Sequence, residues 1–479
     1  MTNALPLPCT ASAHDGSARR GDCDDKRGTL IATILGSSLA FIVGSIINVA
    51  LPQMQAAFGV GPTGAQWIIN AYLLPLGALV LIGGSLGDRY GRRKIFLLGL
   101  AIFTAACFLC AIAWSFPVLM VGRALEGLGA ALLAPTSLAI IADGFSGKER
   151  GVAIGTWAAA GAIAGALAPV AGGVIVDLAG WRWAFVAVCP VAVVAILVAY
   201  RSVRESTADP GSVAPLDWAG AALSGVGLFA LIWALVAVPD QGMTGMVFFA
   251  VFGGTALMLS FLMVEWKRGD TAMMPLALFR NQTFSGLSLL TLFLYMALGG
   301  LLVLLPYVLI EELGYSATAA GAAILPFPLI LGLLSRSVGG TLTERFGPRT
   351  LLVTGSVLVA CGFWLFSLTP SEDVSYAFNL LPALIVLALG MAASVAPLTA
   401  TVLDSAGARY AGVASGVNNA ISRIAGLIAT ALLGLVLINS ADNLLVGFAE
   451  AAWAGMVLSL LSAAAAWRLV APKAVTPGA

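Results

Sequence analysis

The sequence GDRYGRRK at residues 87–94 places four cations and one carboxylate between two long apolar runs. Charged residues make up only 10% of the 479-residue chain and hydrophobic residues 60%, with a mean hydropathy of +0.99. A soluble globular chain carries about a quarter charged residues. Apolar runs recur from residue 29 to residue 470, each long enough for a helix of about 20 residues that crosses the hydrocarbon core. The composition therefore predicts an all-α polytopic membrane protein.

The positions of the cations predict how many times the chain crosses the membrane. With fourteen spans and the N-terminus inside, 21 of the 24 Lys and Arg residues fall in cytoplasmic segments and one, Arg182, outside. Because cytoplasmic loops collect Lys and Arg, this split predicts fourteen spans with both termini cytoplasmic. The predicted spans are 29–50, 65–86, 95–113, 118–141, 151–176, 183–200, 217–238, 246–264, 284–308, 317–335, 350–369, 377–403, 413–437 and 447–469.

The charged loop belongs to an internal repeat. Residues 83–99 and 339–355 are identical at seven of 17 positions, and GVAIG at 151–155 recurs as GVASG at 412–416. Offsets of 256 and 261 residues correspond to eight spans at about 30 residues each. The repeat predicts two six-helix pseudo-repeat bundles with two inserted central helices. Two similar halves with a site between them near the bilayer midplane are the layout of a rocking transporter.

This repeat divides the chain into five predicted parts. They are a disordered cytoplasmic tail at 1–28, an N-terminal six-helix bundle at 29–204, two inserted helices with linkers at 205–283, a C-terminal six-helix bundle at 284–470 and a C-terminal tail at 471–479. The polar N-terminal segment has no apolar core and is not a signal peptide.

The sequence offers no set of residues for catalysis. We find no nucleophile–base set, metal cluster or cofactor motif, and no basic tract interleaved with aromatics. We therefore expect neither an enzyme nor a nucleic-acid-binding protein, and no cofactor. The alternative from a functional class other than transporters is a non-transporting membrane receptor or scaffold. The lack of a soluble signalling domain argues against it.

Several motifs resemble those of a known family. GGSLGDRYGRRK at 83–94 resembles the signature loop of the major facilitator superfamily, and RALEGLGAALLAPTSLAII at 123–141 resembles its fourth-helix motif. The resemblance covers nearly the whole chain from residue 29 and does not specify the substrate. APVAGG at 168–173 resembles the end of the fifth-helix motif that is typical of antiporters. The motifs that resemble the fourteen-helix drug:proton antiporter branch are NVALP at 48–52, QWIINAYLL at 66–74 and WRWAFVAVCP at 181–190.

In that family the signature loop latches the cytoplasmic side of the protein. The resemblance assigns this gate to Asp88, Arg89 and Arg92, and the repeat adds Glu344 and Arg345 in the second loop. Interfacial ion pairs are individually weak, which suits a latch that opens in every cycle. The alternative is that these charges only anchor the topology.

Two charges stand inside the fourth predicted span. Arg123 and Glu126 are three residues apart and so share one helical face. A charge at this depth is costly and usually pairs or faces a polar cavity. Arg123 resembles the family arginine that is linked to proton transfer, and Glu126 stands where the family commonly has Gln. We therefore assign proton coupling to this pair; the alternatives are a static ion pair and an arginine that reaches the outer surface.

A second polar face lies on the thirteenth span. Asn419 and Arg423 are four residues apart and share a side of the helix, whereas Asn418 is only roughly aligned with them. They are candidates for substrate contact or for closure of the cytoplasmic side. Interhelical hydrogen bonding is the competing interpretation.

Polar residues of the first two spans complete the predicted substrate cavity. These are Asn48, Trp67, Asn70 and Tyr72. Trp67 fits equally well as a residue of the aromatic belt at the membrane surface.

Span 5 contains the residues that resemble the antiporter motif. Gly155, Gly165, Pro169, Gly172 and Gly173 favour close helix packing and a kink. Two positions where the family has glycine are alanine here. We expect this helix to shape the interface between the halves.

The first span departs from the branch. Val43 stands where the branch usually carries an Asp, and Ser45 where it has Thr. We hypothesise that Glu126 takes over the role of that acid. The leading interpretation is a proton-coupled exporter of amphipathic small molecules or drugs, embedded in a bacterial inner membrane. The alternative, favoured by Val43, is an uncoupled or differently coupled transporter of a specific metabolite.

Overall fold

The structure is a computed structural model that describes residues 25–207, 217–337, 342–439 and 443–472. Within these ranges, fourteen helices are long and apolar enough to cross a membrane. The predicted all-α fold with fourteen spans is confirmed. The spans are α1 (Lys26–Phe58), α2 (Pro62–Tyr90), α3 (Arg92–Ala111), α4 (Phe116–Gly144), α5 (Glu149–Ala179), α6 (Trp181–Ser202), α7 (Trp218–Pro239), α8 (Gly245–Arg268), α9 (Gln282–Glu311), α10 (Ala317–Leu334), α11 (Pro348–Ser367), α12 (Tyr376–Gly407), α13 (Val413–Gly434) and α14 (Leu444–Leu469).

The helix ends differ from the apolar boundaries seen in the sequence. Helix α1 runs eight residues beyond the predicted end at residue 50, through Pro52, and stops where Gly59 takes a φ of 62°. Helices α12 and α13 form one long run, Leu381–Asn439, that is broken at Gly407 (φ 68°). Helix α10 consists of two segments, Ala317–Ile324 and Pro326–Ser337. Most of the tail predicted at 1–28 lies outside the described residues, and the predicted domain boundaries stay a prediction.

The internal repeat is visible in the backbone. Gly91 and Gly347, which are 256 residues apart, both take a positive φ, of 111° and 78°. Glycine adopts this conformation without steric cost, and it permits the abrupt turn between two antiparallel helices. The repeated glycine is thus explained by the turn and not by the neighbouring charges.

Two residues after each of these glycines stands an arginine. In each half this arginine joins the helix that follows the turn to the last helix of the same half. The Arg93 guanidinium donates to the Tyr200 carbonyl at the end of α6 and lies 5.0 Å from the ring of that tyrosine. The Arg349 guanidinium donates to the Trp467 carbonyl at the end of α14 and lies 4.5 Å from that indole ring. Each half therefore ties its third helix to its sixth with an arginine, which is a structural role.

Each half has its own hydrophobic core. One buried cluster is formed by α1–α6 and another by α9–α14. The inserted helices α7 and α8 pack on each other, and α7 lies against both α2 and α13. A third cluster, with Leu228 and Ile232 of α7 and Leu427 of α13, fills this junction. The inserted pair thus covers one seam between the halves.

The two halves meet closely at the end that is predicted to face outward. On α5, a Cβ at Gly173 would clash with the Ala317 carbonyl of α10, and a Cβ at Gly321 would clash with the Pro169 carbonyl. Asp177 accepts hydrogen bonds from the backbone N–H groups of Ala317 (3.0 Å) and Thr318 (2.8 Å), and from the Thr318 hydroxyl. Helices α5 and α10 are therefore locked together at this end.

The opposite end of α5 is open. A Cβ at Gly151 or Gly155 would have no described atom within 4 Å. Helices α2 and α13 stay in contact further along, to the level of Leu81 and Gly416. If the predicted topology is used as the frame, the halves are closed on the outer side and parted along α5 on the cytoplasmic side.

Candidate functional site

The first charged group at membrane depth is a buried ion pair on α4. Arg123 Nη1 lies 2.5 Å from Glu126 Oε2, and the two side chains are 1% and 0% exposed. Arg123 Nε also donates to the Ile68 carbonyl at 3.0 Å, and the Tyr72 ring lies 4.6 Å from the guanidinium. Glycines on α4 allow this close packing, since a Cβ at Gly127 would clash with the Tyr72 carbonyl. The pair is sealed inside the N-terminal half.

Among the described residues, Glu126 Oε2 accepts the hydrogen bond from Arg123. The other oxygen, Oε1, is buried and accepts no N–H or O–H bond from them, and the thiols of Cys107 and Cys110 on α3 are the weak donors beside the carboxylate. A proton on Glu126 would remove the ion pair and leave the guanidinium held by the Ile68 carbonyl and the Tyr72 ring. The site can therefore exist in a charged and a protonated form without losing every contact of Arg123.

The second charged group, Arg423 on α13, has a different environment. It lies about midway between Val413 and Gly434, roughly 15 Å from either end of the span at 1.5 Å per residue. Its side chain is half-buried and makes no hydrogen bond or ion pair with the described residues. Its backbone approaches α2, where a Cβ at Gly77 would lie 3.6 Å from Arg423 Cβ. The guanidinium is thus an uncompensated cation between the halves.

Neighbouring asparagines of α13 have separate roles. Asn418 accepts a hydrogen bond from the Thr291 hydroxyl of α9 at 2.7 Å, which is an interhelical contact within the C-terminal half. The Asn419 side chain, on the same side of the helix as Arg423, is half-buried and hydrogen-bonds to no described residue. The structure therefore assigns the interhelical bond to Asn418 and leaves the amide of Asn419 available.

The other predicted cavity residues are more enclosed. Asn70 is fully buried and accepts a hydrogen bond from the Thr430 hydroxyl of α13, so that it joins the two halves. Tyr72 is 3% exposed, and its hydroxyl donates to the Ala40 carbonyl at 3.2 Å. Trp67 packs against Phe229 of the inserted helix α7, with the ring centroids 6.0 Å apart and the rings tilted by 46°. Asn48 is half-buried in α1. Their place in a cavity wall stays a prediction.

The charges of the signature loop bind within the N-terminal half. Arg92 pairs with Asp88 at 2.8 Å and with Asp143 at the end of α4 at 3.2 Å. Arg89 is exposed. This network links α2, α3 and α4. In the second loop Pro348 occupies the position equivalent to Arg92, and the residues described there form no such network.

The second loop contributes no described ion pair to the predicted gate. Arg345 is exposed and lies 5.3 Å from the Phe346 ring, and the side chain of Glu344 lies outside the described residues. No described ion pair joins the two loops. A latch between the halves therefore stays a prediction, for a conformation in which the cytoplasmic ends approach each other.

The residues of the α5 motif separate into two groups. Pro169 and Gly173 lie at the contact with α10, and a Cβ at Gly172 would clash with Ile46 of α1. A Cβ at Gly165 would lie 3.8 Å from Phe41, and Gly155 faces open space. The outer part of the motif is thus packed against neighbours, and the inner part is not.

Three groups of the site were missed in the sequence. Asp177, Thr430 and Tyr295 acquire their roles only from partners more than a hundred residues away or on another helix. Val43, noted as a departure from the branch, is 2% exposed in the core of the N-terminal half. The residue that replaces the acid is therefore part of the packed core of that half.

Comparison with known proteins identifies the family. The family model of the Major Facilitator Superfamily matches residues 33–430. The chain belongs to the major facilitator superfamily. The expectation of a transporter, and not an enzyme, is confirmed by this membership.

Several relatives within the superfamily carry the names of resistance proteins. The chain is 33% identical to "Multidrug resistance protein Stp" of Mycobacterium tuberculosis (strain CDC 1551 / Oshkosh) over 85% of this chain and 75% of that protein. It is 30% identical to "Methylenomycin A resistance protein" of Bacillus subtilis (strain 168) over 88% and 90%. A solved peptide transporter POT in complex with sulfate has the same fold, with a TM-score of 0.68, 16% identity and coverage of 92% and 95%.

The superfamily accounts for the two similar halves of the fold. A major facilitator protein is an integral membrane protein that carries a small-molecule substrate, so these coarser expectations are confirmed. The resistance-protein relatives do not favour the alternative of an uncoupled metabolite transporter.

Proposed function

We propose that this protein is a proton-coupled exporter of amphipathic small molecules that works by alternating access between α1–α6 and α9–α14. The observation that carries the proposal is the one-sided contact between the halves: α5 and α10 are locked at Asp177 and Gly173, while Gly155 faces open space. A rocking carrier needs a state of this kind and its mirror state.

The proposed coupling site is the pair Arg123–Glu126. A pump requires that its two states differ in affinity for the proton and the substrate. In this conformation Glu126 is paired and inaccessible. We propose that rocking of the halves opens a water path to its free oxygen, and that protonation then releases Arg123 from the carboxylate.

The proposed orientation has both termini in the cytoplasm of a bacterial cell. It is supported by the distribution of Lys and Arg, which places a single cation, Arg182, on the outer side. The proposed substrates are amphipathic drugs or toxic metabolites, since the related proteins carry names of drug and antibiotic resistance. No nucleic acid and no cofactor enters the proposal.

The test is transport in proteoliposomes with an imposed inside-acid pH gradient. Uptake of ethidium, a lipophilic cation, and of 2-naphthoate, a lipophilic anion, is followed by fluorescence while a trapped dye reports the lumen pH. Protein-free liposomes and a protonophore are the controls. Coupling predicts that uptake of at least one probe needs the gradient and accelerates proton release. Equal uptake with and without the gradient for both probes would contradict coupling, and no uptake of either would contradict the exporter.

A further inference from the structure

The charges that lie deep in the membrane leave one cation without a partner. Among the described residues, Glu126 is the only acid more than two helical turns from an end of its span, and it is paired with Arg123. Arg423 is the remaining deep cation. The contact between the halves therefore contains a positive charge and no described acid to balance it.

Burial of an unpaired charge at this depth is costly, so such a residue is by default a functional site. The guanidinium nitrogens of Arg423 bond to no described residue, yet none of them is fully buried. The guanidinium therefore keeps accessible surface. An arginine cannot become neutral by losing its proton. A stable state of the protein then needs water or a negatively charged ligand at this position.

Two neutral donors accompany the guanidinium. Tyr295 of α9 is half-buried, interacts electrostatically with Arg423, and its hydroxyl bonds to no described residue. Asn419 presents its free amide one turn before Arg423. Thr291, one turn before Tyr295, holds α9 to α13 through Asn418. Tyr72 of α2 also interacts electrostatically with Arg423, but its hydroxyl is already bonded to the Ala40 carbonyl. A cation with a neutral hydroxyl on the facing helix and a free amide on its own side of α13 suits a carboxylate or another anionic oxygen group.

We propose that the transported molecule carries an anionic group, and that Arg423 binds it with help from Tyr295 and Asn419. This inference rests on the proposed function and specifies its substrate class. A carboxylate accepts two parallel hydrogen bonds from one guanidinium. The apolar remainder of the molecule would lie along the apolar walls between the halves. A lipophilic cation would be repelled by Arg423, and the branch acid that could attract it is replaced by the buried Val43.

The test compares three probes that share one ring system: 2-naphthoate, its neutral methyl ester and 2-naphthylmethylammonium. Binding to the full-length protein in lipid nanodiscs is measured from the rise of the unfolding temperature with ligand concentration. Each probe is compared between variants, because its partition into lipid is the same for all of them. The same three groups on an anthracene ring repeat the test at a larger size.

Arg423→Gln should weaken binding of the acid roughly tenfold to a hundredfold, the usual worth of hydrogen bonds to a charged group. The ester should change less than about twofold, because it makes no such bond. Arg423→Lys should restore part of the loss, and Tyr295→Phe should weaken the acid alone. Arg468→Gln, which makes the same charge change at the exposed end of α14, is the control and should alter none of the three.

Several results would overturn the inference. One is tighter binding of the ammonium probe than of the acid to the wild type, and another is equal weakening of acid and ester in Arg423→Gln. Failure of every probe to bind would also count against it. If ethidium is carried in a gradient-dependent manner while the acids do not bind, the exporter proposal stands and the anionic substrate class falls.

Discussion

Two arginines lie deep in the membrane, one in each half, and their surroundings are opposite. Arg123 is 1% exposed and is held by Glu126, the Ile68 carbonyl and the Tyr72 ring. Arg423 is half-buried and touches no described acceptor. The halves repeat each other in helices and turns, but they differ in the charges that they bury.

The difference shows that two residues of the same type can have different roles. A buried ion pair whose two charges bind each other, such as Arg123–Glu126, either stays intact or breaks when its acid is protonated. A cation that keeps accessible surface at the contact between the halves can bind a molecule from outside. Arg123 lies on the fourth helix of its half and Arg423 on the fifth helix of the other, so the repeat does not relate them. The partner available at each position decides what the arginine can do.

The largest expected effect is on stability, and it separates the two arginines directly. Arg123→Gln should destabilise the protein by about 3–5 kcal/mol, because it leaves a buried carboxylate without its partner. Arg423→Gln should cost less than about 1 kcal/mol, since no protein contact is lost. Both are measured by unfolding in detergent.

The double variant Arg123→Gln/Glu126→Gln serves as the control for this comparison. It removes both charges and should recover much of the loss. Equal destabilisation by the two single variants would mean that Arg423 has a protein partner in solution, and the comparison would then fail.

The rate of thiol labelling should show that the two arginine sites differ in their accessibility to water. Cys107 and Cys110, next to Glu126, are buried with 0% exposure. In a protein in which the other cysteines are replaced, these two should react with a membrane-impermeant maleimide at least about a hundredfold more slowly than Asn419→Cys, since opening to solvent would cost several kcal/mol. Comparable rates at the two places would contradict a sealed N-terminal pair.

Changing the conformation should alter one site and not the other. Gly173→Ala places a methyl group against the α10 backbone in the closed outer contact and should cost about 1–3 kcal/mol there. The halves should then favour the state that is open outward. Labelling of Asn419→Cys from the cytoplasmic side should fall severalfold, while Cys107 stays unreactive.

Gly155→Ala is the matched control for that variant. The added methyl group meets no described atom, so labelling should not change. A similar fall in both variants would mean that α5 responds to any loss of glycine, and that the outer contact is not the cause.

The smallest effect concerns a charge outside the membrane. Asp25 caps α1, and its hydrogen bonds from the Ser202 hydroxyl and the Gly28 N–H lower its pKa below the usual value of 3.8. A lowered pKa stabilises the fold above pH 3.8, and this contribution disappears as the pH falls through the folded-state value. Acidification from pH 5 to pH 3 should therefore reduce the melting temperature slightly more in the wild type than in Asp25→Asn. An identical pH response would show that the cap is not formed.

The sequence predicts the spans and the repeat because both depend on local patterns. Hydropathy and the placement of cations identify the fourteen helices, and the shared glycines predict the matching turns at Gly91 and Gly347. The pair Arg123–Glu126 is predictable from its spacing alone. Even the extension of α1 beyond its apolar part has a local cause, the left-handed Gly59.

Partners across the molecule cannot be read from such patterns. The two cytoplasmic loops resemble each other, but only the first forms the Arg92 network, because its second acid, Asp143, comes from α4. Asn70 looks like a cavity residue until Thr430, 360 residues later, is seen to bond to it. The free state of Arg423 is likewise a property of the packed helices and not of its neighbours in sequence.

The most direct test of the account measures both arginine sites in the same proteoliposomes. Uptake of 2-naphthoate is recorded with an inside-acid pH gradient and as counterflow exchange without one, for the wild type, Glu126→Gln and Arg423→Gln. Glu126→Gln should lose the response to the gradient and keep counterflow, whereas Arg423→Gln should lose both. Wild-type uptake by Arg423→Gln, or an undiminished gradient response in Glu126→Gln, would contradict it.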